Sequence, residues 1–145
     1  MTATVPNIFV TFPTGLALKH TGKFQAAVCA CERAIKINNN SSMAYFNLGN
    51  TYQDLKKYNL AIKSFLEVLR IDSLHADALF NLAVAFQDRG AVSKNNEDKR
   101  EDLLTACRYY EQVYQARPDI QEAKKALDSL KCVLEGMSSR LELKE

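Results

Sequence analysis

The sequence predicts an all-α protein, an α-solenoid of about three helix-turn-helix units followed by a C-terminal capping helix. Three observations lead to this fold class: a 34-residue internal repeat, small residues that recur where paired helices would touch, and an amphipathic segment after the last repeat. The chain has 145 residues, of which 47% are hydrophobic, and this is enough apolar material for one continuous core.

The repeat is clearest in two ten-residue segments in which Phe, Asn, Leu, Gln and Asp coincide. One segment is Tyr45-Phe-Asn-Leu-Gly-Asn-Thr-Tyr-Gln-Asp54 and the other is Leu79-Phe-Asn-Leu-Ala-Val-Ala-Phe-Gln-Asp88, so the offset is 34 residues. Gly15 stands 34 residues before Gly49, which indicates a weaker unit ahead of these two. A period of this length is typical of stacked pairs of antiparallel helices.

Small residues recur with the same period and explain why the helices can pack closely. Gly49 and Ala83 are placed to let a paired helix approach, and the facing surface is expected at Ala27, Ala61 and Ala106. The second unit carries its pattern of large, small and aromatic residues at Tyr45, Leu48, Gly49, Tyr52, Tyr58, Ala61 and Phe65. This pattern resembles the tetratricopeptide repeat family over roughly residues 15–118, and it departs from that family at Val68 and Ser73.

The repeat divides the chain into predicted segments. Residues 1–11 are expected to be extended or disordered, and Pro13 is expected to open a shortened first unit, because a first-turn proline is tolerated in a helix. The chain is therefore expected to be a fragment or shortened form of a longer array. The predicted units span 12–118, as 12–40, 42–74 and 76–118 with a polar insert in the turn at 91–101, and a capping helix follows at 119–145.

Helix starts are predicted from capping residues. Ser41 or Ser42 is expected to open one helix, and Ser73 is expected to open the first helix of the third unit. Asp119 and Glu122 have the spacing of a capping box for the last helix. The apolar stripe of that helix is Leu127, Leu130, Leu134 and Met137.

The resemblance implies a binding surface on the first helix of each unit. Asn47 and Asn81 stand out there, because a carboxamide both donates and accepts hydrogen bonds and can pair with an extended peptide backbone. The alternative is that these asparagines are ordinary surface residues of the family. The predicted peptide-binding residues are Asn47, Asn50, Asp54, Asp77, Asn81, Gln87 and Asp88.

Asp77 and the polar insert at 91–101 bear on the kind of partner that is expected. Some members of the family clamp the acidic C-terminal tails of chaperones with basic residues, but Asp77 stands where a lysine would be needed, which argues against such tails. The polar insert at 91–101 is interpreted either as a partner contact or as a solvated loop. In the second interpretation the loop is followed by an acidic first helical turn at Glu97 and Asp98.

Composition and motifs exclude several function classes. The 19 basic and 17 acidic residues give no electrostatic reason to expect nucleic acid or membrane as a partner. Phosphate-binding loops, nucleophile elbows and zinc-protease motifs do not occur, so no enzyme activity, catalytic residue or cofactor is expected. The cysteines and histidines lack metal-ligand spacing, and reduced thiols are consistent with a cytoplasmic protein.

The sequence therefore predicts a non-catalytic scaffold or adaptor that binds an extended peptide or a partner helix, with membership of a larger complex as a further expectation. One alternative is the substrate-recognition segment of a larger enzyme, such as a glycosyltransferase. Another is a structural subunit that self-associates in an assembly.

Overall fold

The computed structural model describes residues 23–143, and this part of the chain forms six α-helices and no β-strand. The predicted all-α class is thereby confirmed. The predictions made for residues 1–11, Pro13 and Gly15 lie outside the described residues. In chain order the helices are α1 (Phe24–Ile37), α2 (Ser42–Asp54), α3 (Tyr58–Ile71), α4 (Ala76–Val92), α5 (Asn96–Ala116) and α6 (Gln121–Glu142).

The chain divides between Ser73 and Leu74 into two compact units. Helices α1, α2 and α3 belong to the first unit, in which α2 packs against both of the others. Helices α4, α5 and α6 belong to the second unit, in which α5 packs against both of the others. In each unit, helices that follow one another in sequence are packed together, as in a helical repeat.

The first unit is built around small residues and one aromatic ring. Ala27, Ala61 and Phe65 are completely buried. A Cβ placed on Gly49 would lie only 2.6 Å from Phe65 Cε1, so α2 and α3 approach each other more closely than any other residue at position 49 would permit. The predicted role of glycine at this seam is confirmed.

The core of the second unit has the same character. Ala83 and Ala106 are completely buried on α4 and α5, and Ala123 is completely buried on α6. The predicted apolar stripe of α6 begins with the buried residues Leu127 and Leu130. It continues through Leu134 and Met137, which are partly buried.

Helices α2 and α4 begin with different capping groups. The prediction of a serine cap for α2 is confirmed, because Ser41 Oγ accepts a hydrogen bond from the Ala44 N–H at 3.3 Å. The prediction that Ser73 opens the next helix is wrong. Helix α4 begins at Ala76 because the imidazole of His75, one residue before it, caps the helix: its Nδ1 accepts a hydrogen bond from the Ala78 N–H at 3.1 Å.

The predicted capping box at the start of α6 is also wrong. The helix begins at Gln121, and no side chain caps it. The Asp119 carboxylate instead accepts two hydrogen bonds, of 2.9 and 2.7 Å, from the guanidinium of Arg117. This ion pair lowers the pKa of Asp119, chiefly through the hydrogen bonding. Asp119 is therefore engaged in an ion pair with Arg117 and does not cap α6.

The interpretation of 91–101 as an enlarged, solvated turn is wrong as well. Helix α4 continues to Val92 and α5 begins at Asn96, so most of the insert lengthens the two helices. Asn95 caps α5 by accepting a hydrogen bond from the Glu97 N–H at 2.8 Å. Glu97 and Asp98 do form the expected acidic first turn.

An ion pair between the two lengthened helices accounts for this extension. The Arg89 guanidinium donates to both carboxylate oxygens of Asp102, at 2.9 and 2.6 Å, and only 10% of the Asp102 side chain is exposed. Next to it, a Cβ on Gly90 would lie 3.1 Å from Asp102 Cβ. Tight packing and a two-pronged hydrogen bond thus favour helix over loop here.

Candidate functional site

In the first unit, the predicted binding residues Asn47, Asn50 and Asp54 lie on one face of α2. At about 100° per residue they fall within ~60° of one another around the helix axis. Asp54 is exposed, and the two asparagines are partly exposed. The opposite face of α2 carries Ala44 and Leu48, which are buried in the unit.

In the second unit, Asp77, Asn81 and Asp88 form the corresponding face of α4, within about 40° around the axis. Asp77 is exposed, and Asn81 and Asp88 are partly exposed. Ala78 and Leu82 are buried on the other side. The structure thus presents one polar face on α2 and one on α4, and these faces are called the α2 face (Asn47, Asn50, Asp54) and the α4 face (Asp77, Asn81, Asp88).

Gln87, the remaining predicted binding residue, lies off the α4 face and interacts within its own unit. Its side-chain oxygen accepts a hydrogen bond of 2.8 Å from the hydroxyl of Tyr110 on α5. Tyr110 is 2% exposed, and the edge of its ring meets Phe80 at a centroid distance of 5.5 Å. Burial raises the pKa of Tyr110, and the negative charge of Asp88 adds to the increase.

An aromatic pair stands beside each asparagine. Phe46, which precedes Asn47, packs against Phe65 with ring centroids 6.0 Å apart. Phe80 and Tyr110 form the equivalent pair in the second unit. These pairs anchor α2 and α4 to the next helix and so fix the direction in which the neighbouring asparagines face.

Tyr110 has a role in hydrogen bonding that the repeat pattern does not predict. Its hydroxyl distinguishes it from Phe65, which occupies the equivalent position in the first unit. A polar aromatic at a buried repeat position indicates a hydrogen-bond partner, because a buried tyrosine hydroxyl usually finds one. That partner is Gln87.

Helices α2 and α4 carry few basic residues. Helix α2 has no lysine or arginine, and α4 has only Arg89, whereas each of the other four described helices has two or more basic residues. The α2 and α4 faces together include three aspartates, Asp54, Asp77 and Asp88. Their charge is therefore negative, although the whole chain has a net charge of +2.

A metal site and a membrane-spanning helix are both absent from the described part of the chain. No group of three or more His, Cys, Asp or Glu side chains there could hold a metal ion. None of the helices between 23 and 143 is long and apolar enough to cross a bilayer. The four cysteines have free thiols, exposed at Cys29 and Cys132 and buried at Cys31 and Cys107.

Comparison with known families gives a match within the first unit. The family model of the tetratricopeptide repeat matches residues 42–73, which include α2 and α3. The comparison with curated proteins found no match to this sequence.

Comparison with solved structures extends the match to most of the chain. The first tetratricopeptide domain of Spaghetti (RPAP3), bound to the HSP90 peptide SRMEEVD, is 18% identical, with coverage of 88% of this chain and 93% of that one and a TM-score of 0.77. The second such domain of human RPAP3, in complex with the HSP70 peptide SGPTIEEVD, is 19% identical, with coverage of 86% and 98% and a TM-score of 0.71.

A mutant O-GlcNAc transferase from Thermobaculum terrenum is also similar. It is 20% identical, with a TM-score of 0.68, and the match covers 85% of this chain but only 22% of the transferase. At such identities the likeness in all three cases concerns the fold. The matched repeat and the shared helical architecture agree with the 34-residue period and the glycine and alanine seams. Residues 42–73 match the tetratricopeptide repeat, and the described part of the chain has the fold of tetratricopeptide-repeat domains.

Proposed function

We propose that the protein is a non-catalytic scaffold that binds an extended peptide or a helix of a protein partner, through the α2 face in its first unit and through the α4 face in its second unit. The observation that carries this proposal is a recurrence. Each face presents an asparagine followed seven residues later by an aspartate, as Asn47 with Asp54 and as Asn81 with Asp88. Seven residues are two helical turns, about 10.5 Å along the axis, so both faces offer the same pair of groups at the same spacing.

The chemistry of these groups suits a peptide. The amide of an asparagine donates through its nitrogen and accepts through its oxygen, and a peptide backbone needs both. Asn47 and Asn81 are partly exposed, beside aromatic pairs that hold their helices in place. Because the helix backbone is held in this way, it needs little rearrangement on binding, which favours affinity.

The similar structures support a role in protein interaction. Two of them hold chaperone peptides that end in Glu-Glu-Val-Asp. For this chain, the argument from Asp77 against such acidic tails stays a prediction. A tail peptide therefore belongs among the ligands to be tested.

The test is a binding measurement with the double variant Asn47→Ala, Asn81→Ala. A partner is first isolated by affinity purification with the parent protein, and its affinity is then measured by calorimetry. Loss of two hydrogen bonds, each contributing about 0.5–1.5 kcal/mol, should weaken binding roughly 5- to 100-fold. Thermal unfolding should change little, because both side chains are partly exposed.

A matched control is available on α5, where Gln112 and Gln115 are exposed amides away from both faces. The double variant Gln112→Ala, Gln115→Ala should bind like the parent. The proposal is wrong if the asparagine variant keeps the parental affinity, or if both variants weaken binding to the same extent.

The second candidate function is substrate recognition within a larger enzyme. It is favoured by the similarity to the O-GlcNAc transferase, 22% of which is covered by the match. The endogenous protein should then migrate far above the 16.3 kDa of this chain on an immunoblot. A single species near that mass would rule this candidate out.

A further inference from the structure

We infer that α6 is a self-association surface, on which two copies of the chain pair with their α6 helices antiparallel. The inference concerns the second unit alone, and it goes beyond the proposed function because it needs no bound peptide. Its basis is an exposed stripe of α6 that is complementary to itself when the helix direction is reversed.

One stripe of α6 lies outside the contact with α5. Helix α6 packs on α5 through Ala123, Leu127 and Leu130, which are buried. Roughly 100° around the axis from these residues, a second stripe has the alternating spacing of four and three residues that is typical of paired helices. This second stripe is called the α6 stripe, and its members are exposed, except for the partly exposed alanine: Glu122, Ala126, Ser129, Val133, Gly136 and Arg140.

The α6 stripe corresponds to the α4 face but differs from it in chemistry. Helices α4 and α6 align on their buried alanine and leucine residues with an offset of 45 residues. In this alignment Ala126 stands where α4 has Asn81, and Val133, which is 46% exposed, stands where α4 has Asp88. Groups suited to a peptide backbone are thus replaced by apolar ones, which favours a helix as the occupant.

Small side chains let a second helix approach the α6 stripe. A Cβ on Gly136 would have no atom within 4 Å, so the space in front of this residue is open. A two-fold axis level with residue 131 places Gly136 opposite Ala126 of the second copy, and Val133 opposite Ser129 of the second copy. Each of these layers contains a small side chain, so the helix axes can approach to about 8 Å, the short end of the usual range.

The charged ends of the α6 stripe complete the match. The same axis places Glu122 opposite Arg140 of the second copy, and the symmetry forms this pair twice. Neither side chain takes part in an ion pair within the described part of the chain. The helix dipole accounts for the sign of both charges, but not for their placement at the two ends of one stripe. A parallel pair would bring like charges together, so the antiparallel orientation is favoured.

The size of the surface sets the expected affinity. The α6 stripe extends from Glu122 to Arg140, a length of about 27 Å at 1.5 Å per residue. Its side chains are fewer than the roughly 20–30 residues that each partner contributes to a stable interface. Pairing should therefore be weak, with a dissociation constant on the order of 10–100 µM.

The experiment is sedimentation equilibrium at protein concentrations between about 1 and 500 µM, a range that spans this constant. The parent should change from monomer to dimer. Glu122→Arg and Arg140→Glu should each weaken association by roughly tenfold or more, because each turns two attractive charge pairs into two repulsive ones. An equimolar mixture of the two variants should associate again, because every arginine at these positions then faces a glutamate.

The control is Glu135→Arg, which makes the same change of charge on the opposite side of α6, where the residue is exposed. This variant should associate like the parent. If it weakened association as much as Glu122→Arg, only the overall charge would matter, and the inference would be overturned. Circular dichroism melts show whether each variant is folded, and recovery of association on mixing excludes loss of fold as the cause.

Cys132 provides a test of the register. Its thiol is exposed beside the α6 stripe, and the antiparallel pairing places the two copies of Cys132 across from each other at the two-fold axis. In the variant Cys29→Ser, a short bismaleimide should therefore join two chains. The variant Cys132→Ser keeps the other exposed thiol and should not be joined. Cross-linking through Cys29 alone would place the interface elsewhere and overturn the inference.

The remaining outcomes separate the inference from the proposed function. A parent that stays monomeric throughout the concentration range overturns the inference, whereas peptide binding is judged separately with the variant Asn47→Ala, Asn81→Ala. If the parent is monomeric and Glu122→Arg weakens binding of a purified partner, the α6 stripe binds another protein and the inference also falls. A dimer that is lost in both single variants and recovered on mixing supports it.

Discussion

The ring of Phe65 fills the space that a side chain at Gly49 would need. A Cβ on Gly49 would lie 2.6 Å from Cε1 of the ring and 2.9 Å from its Cζ, which is closer than carbon atoms approach without displacement. Phe65 is completely buried, so the ring has no solvent-filled space into which it can move. The packing of α2 on α3 therefore depends on the missing side chain.

We expect Gly49→Ala to destabilise the protein. Alanine improves helix propensity by about 1 kcal/mol, but overpacking of a rigid seam costs about 1–3 kcal/mol. The packing penalty exceeds the gain, so the free energy of unfolding measured with urea should fall. Gly136→Ala is the matched control, because no atom lies within 4 Å of its added Cβ, and there stability should rise by about 0.5–1 kcal/mol. An increase for both variants would contradict the close contact.

Lys56 adopts a left-handed backbone conformation, with φ of 58°, immediately after α2. The Lys57 N–H donates to Tyr52 O and the Lys56 N–H donates to Gln53 O, both at 2.9 Å, which is the pattern of a Schellman motif. Glycine is favoured in that position because a Cβ costs about 1 kcal/mol in this conformation. We expect Lys56→Gly to stabilise the protein by up to about 1 kcal/mol in thermal or urea unfolding.

Lys57→Gly is the control for this prediction. Lys57 has φ of −91°, where a glycine brings no conformational advantage and increases the entropy of the unfolded chain. It should therefore leave the free energy of unfolding unchanged or lower it. If both glycine variants shifted stability in the same direction, backbone strain at Lys56 would not be the cause.

The features that recur with the repeat could be predicted from the sequence alone. The 34-residue period identified the helical pairs, and it placed Ala27, Ala61 and Ala106 at seams where all three are completely buried. Such residues are recognisable because each copy of the repeat must satisfy the same packing constraint. The candidate binding faces follow from the same periodicity, since Asn47 and Asn81 are equivalent positions.

Other features depend on contacts between residues that do not recur every 34 residues. Ser73 was expected to start α4, but His75 caps the helix through an imidazole nitrogen, an unusual capping group. The lengthening of α4 and α5 depends on the pairing of Arg89 with Asp102, thirteen residues apart in sequence. No local propensity predicts a pairing between residues so far apart.

The Arg89 and Asp102 pair should contribute measurably to stability. The Asp102 carboxylate is nearly buried and the hydrogen bonding is bidentate. In the Arg70 and Glu67 pair on α3, both side chains are exposed. A double-mutant cycle with Arg89→Met and Asp102→Asn should give a coupling energy of about 1–2 kcal/mol, since the arginine is one-third exposed and solvent screens part of the interaction.

The same cycle with Arg70→Met and Glu67→Gln should give less than about 0.5 kcal/mol. Hydrogen exchange provides a second measurement. Amides near Val92 and Asn96, at the ends of the lengthened helices, should exchange faster in Asp102→Asn than in the parent. Unchanged exchange there would show that the ion pair does not maintain the extension.

The burial of Tyr110 makes stability depend on alkaline pH. Burial, assisted by the charge of Asp88, holds the pKa of Tyr110 above that of a tyrosine in the unfolded chain. Above about pH 10 the unfolded chain releases this proton while the folded protein keeps it, which favours unfolding. The contribution of the protonated Tyr110 to stability is fully present below that pH and is lost as the pH rises. Tyr110→Phe should lower stability at neutral pH by about 0.5–1.5 kcal/mol, because it leaves the partly buried Gln87 oxygen without its donor. It should also flatten the decline in urea-measured stability above pH 10, and a decline as steep as that of the parent would exclude Tyr110 as its source.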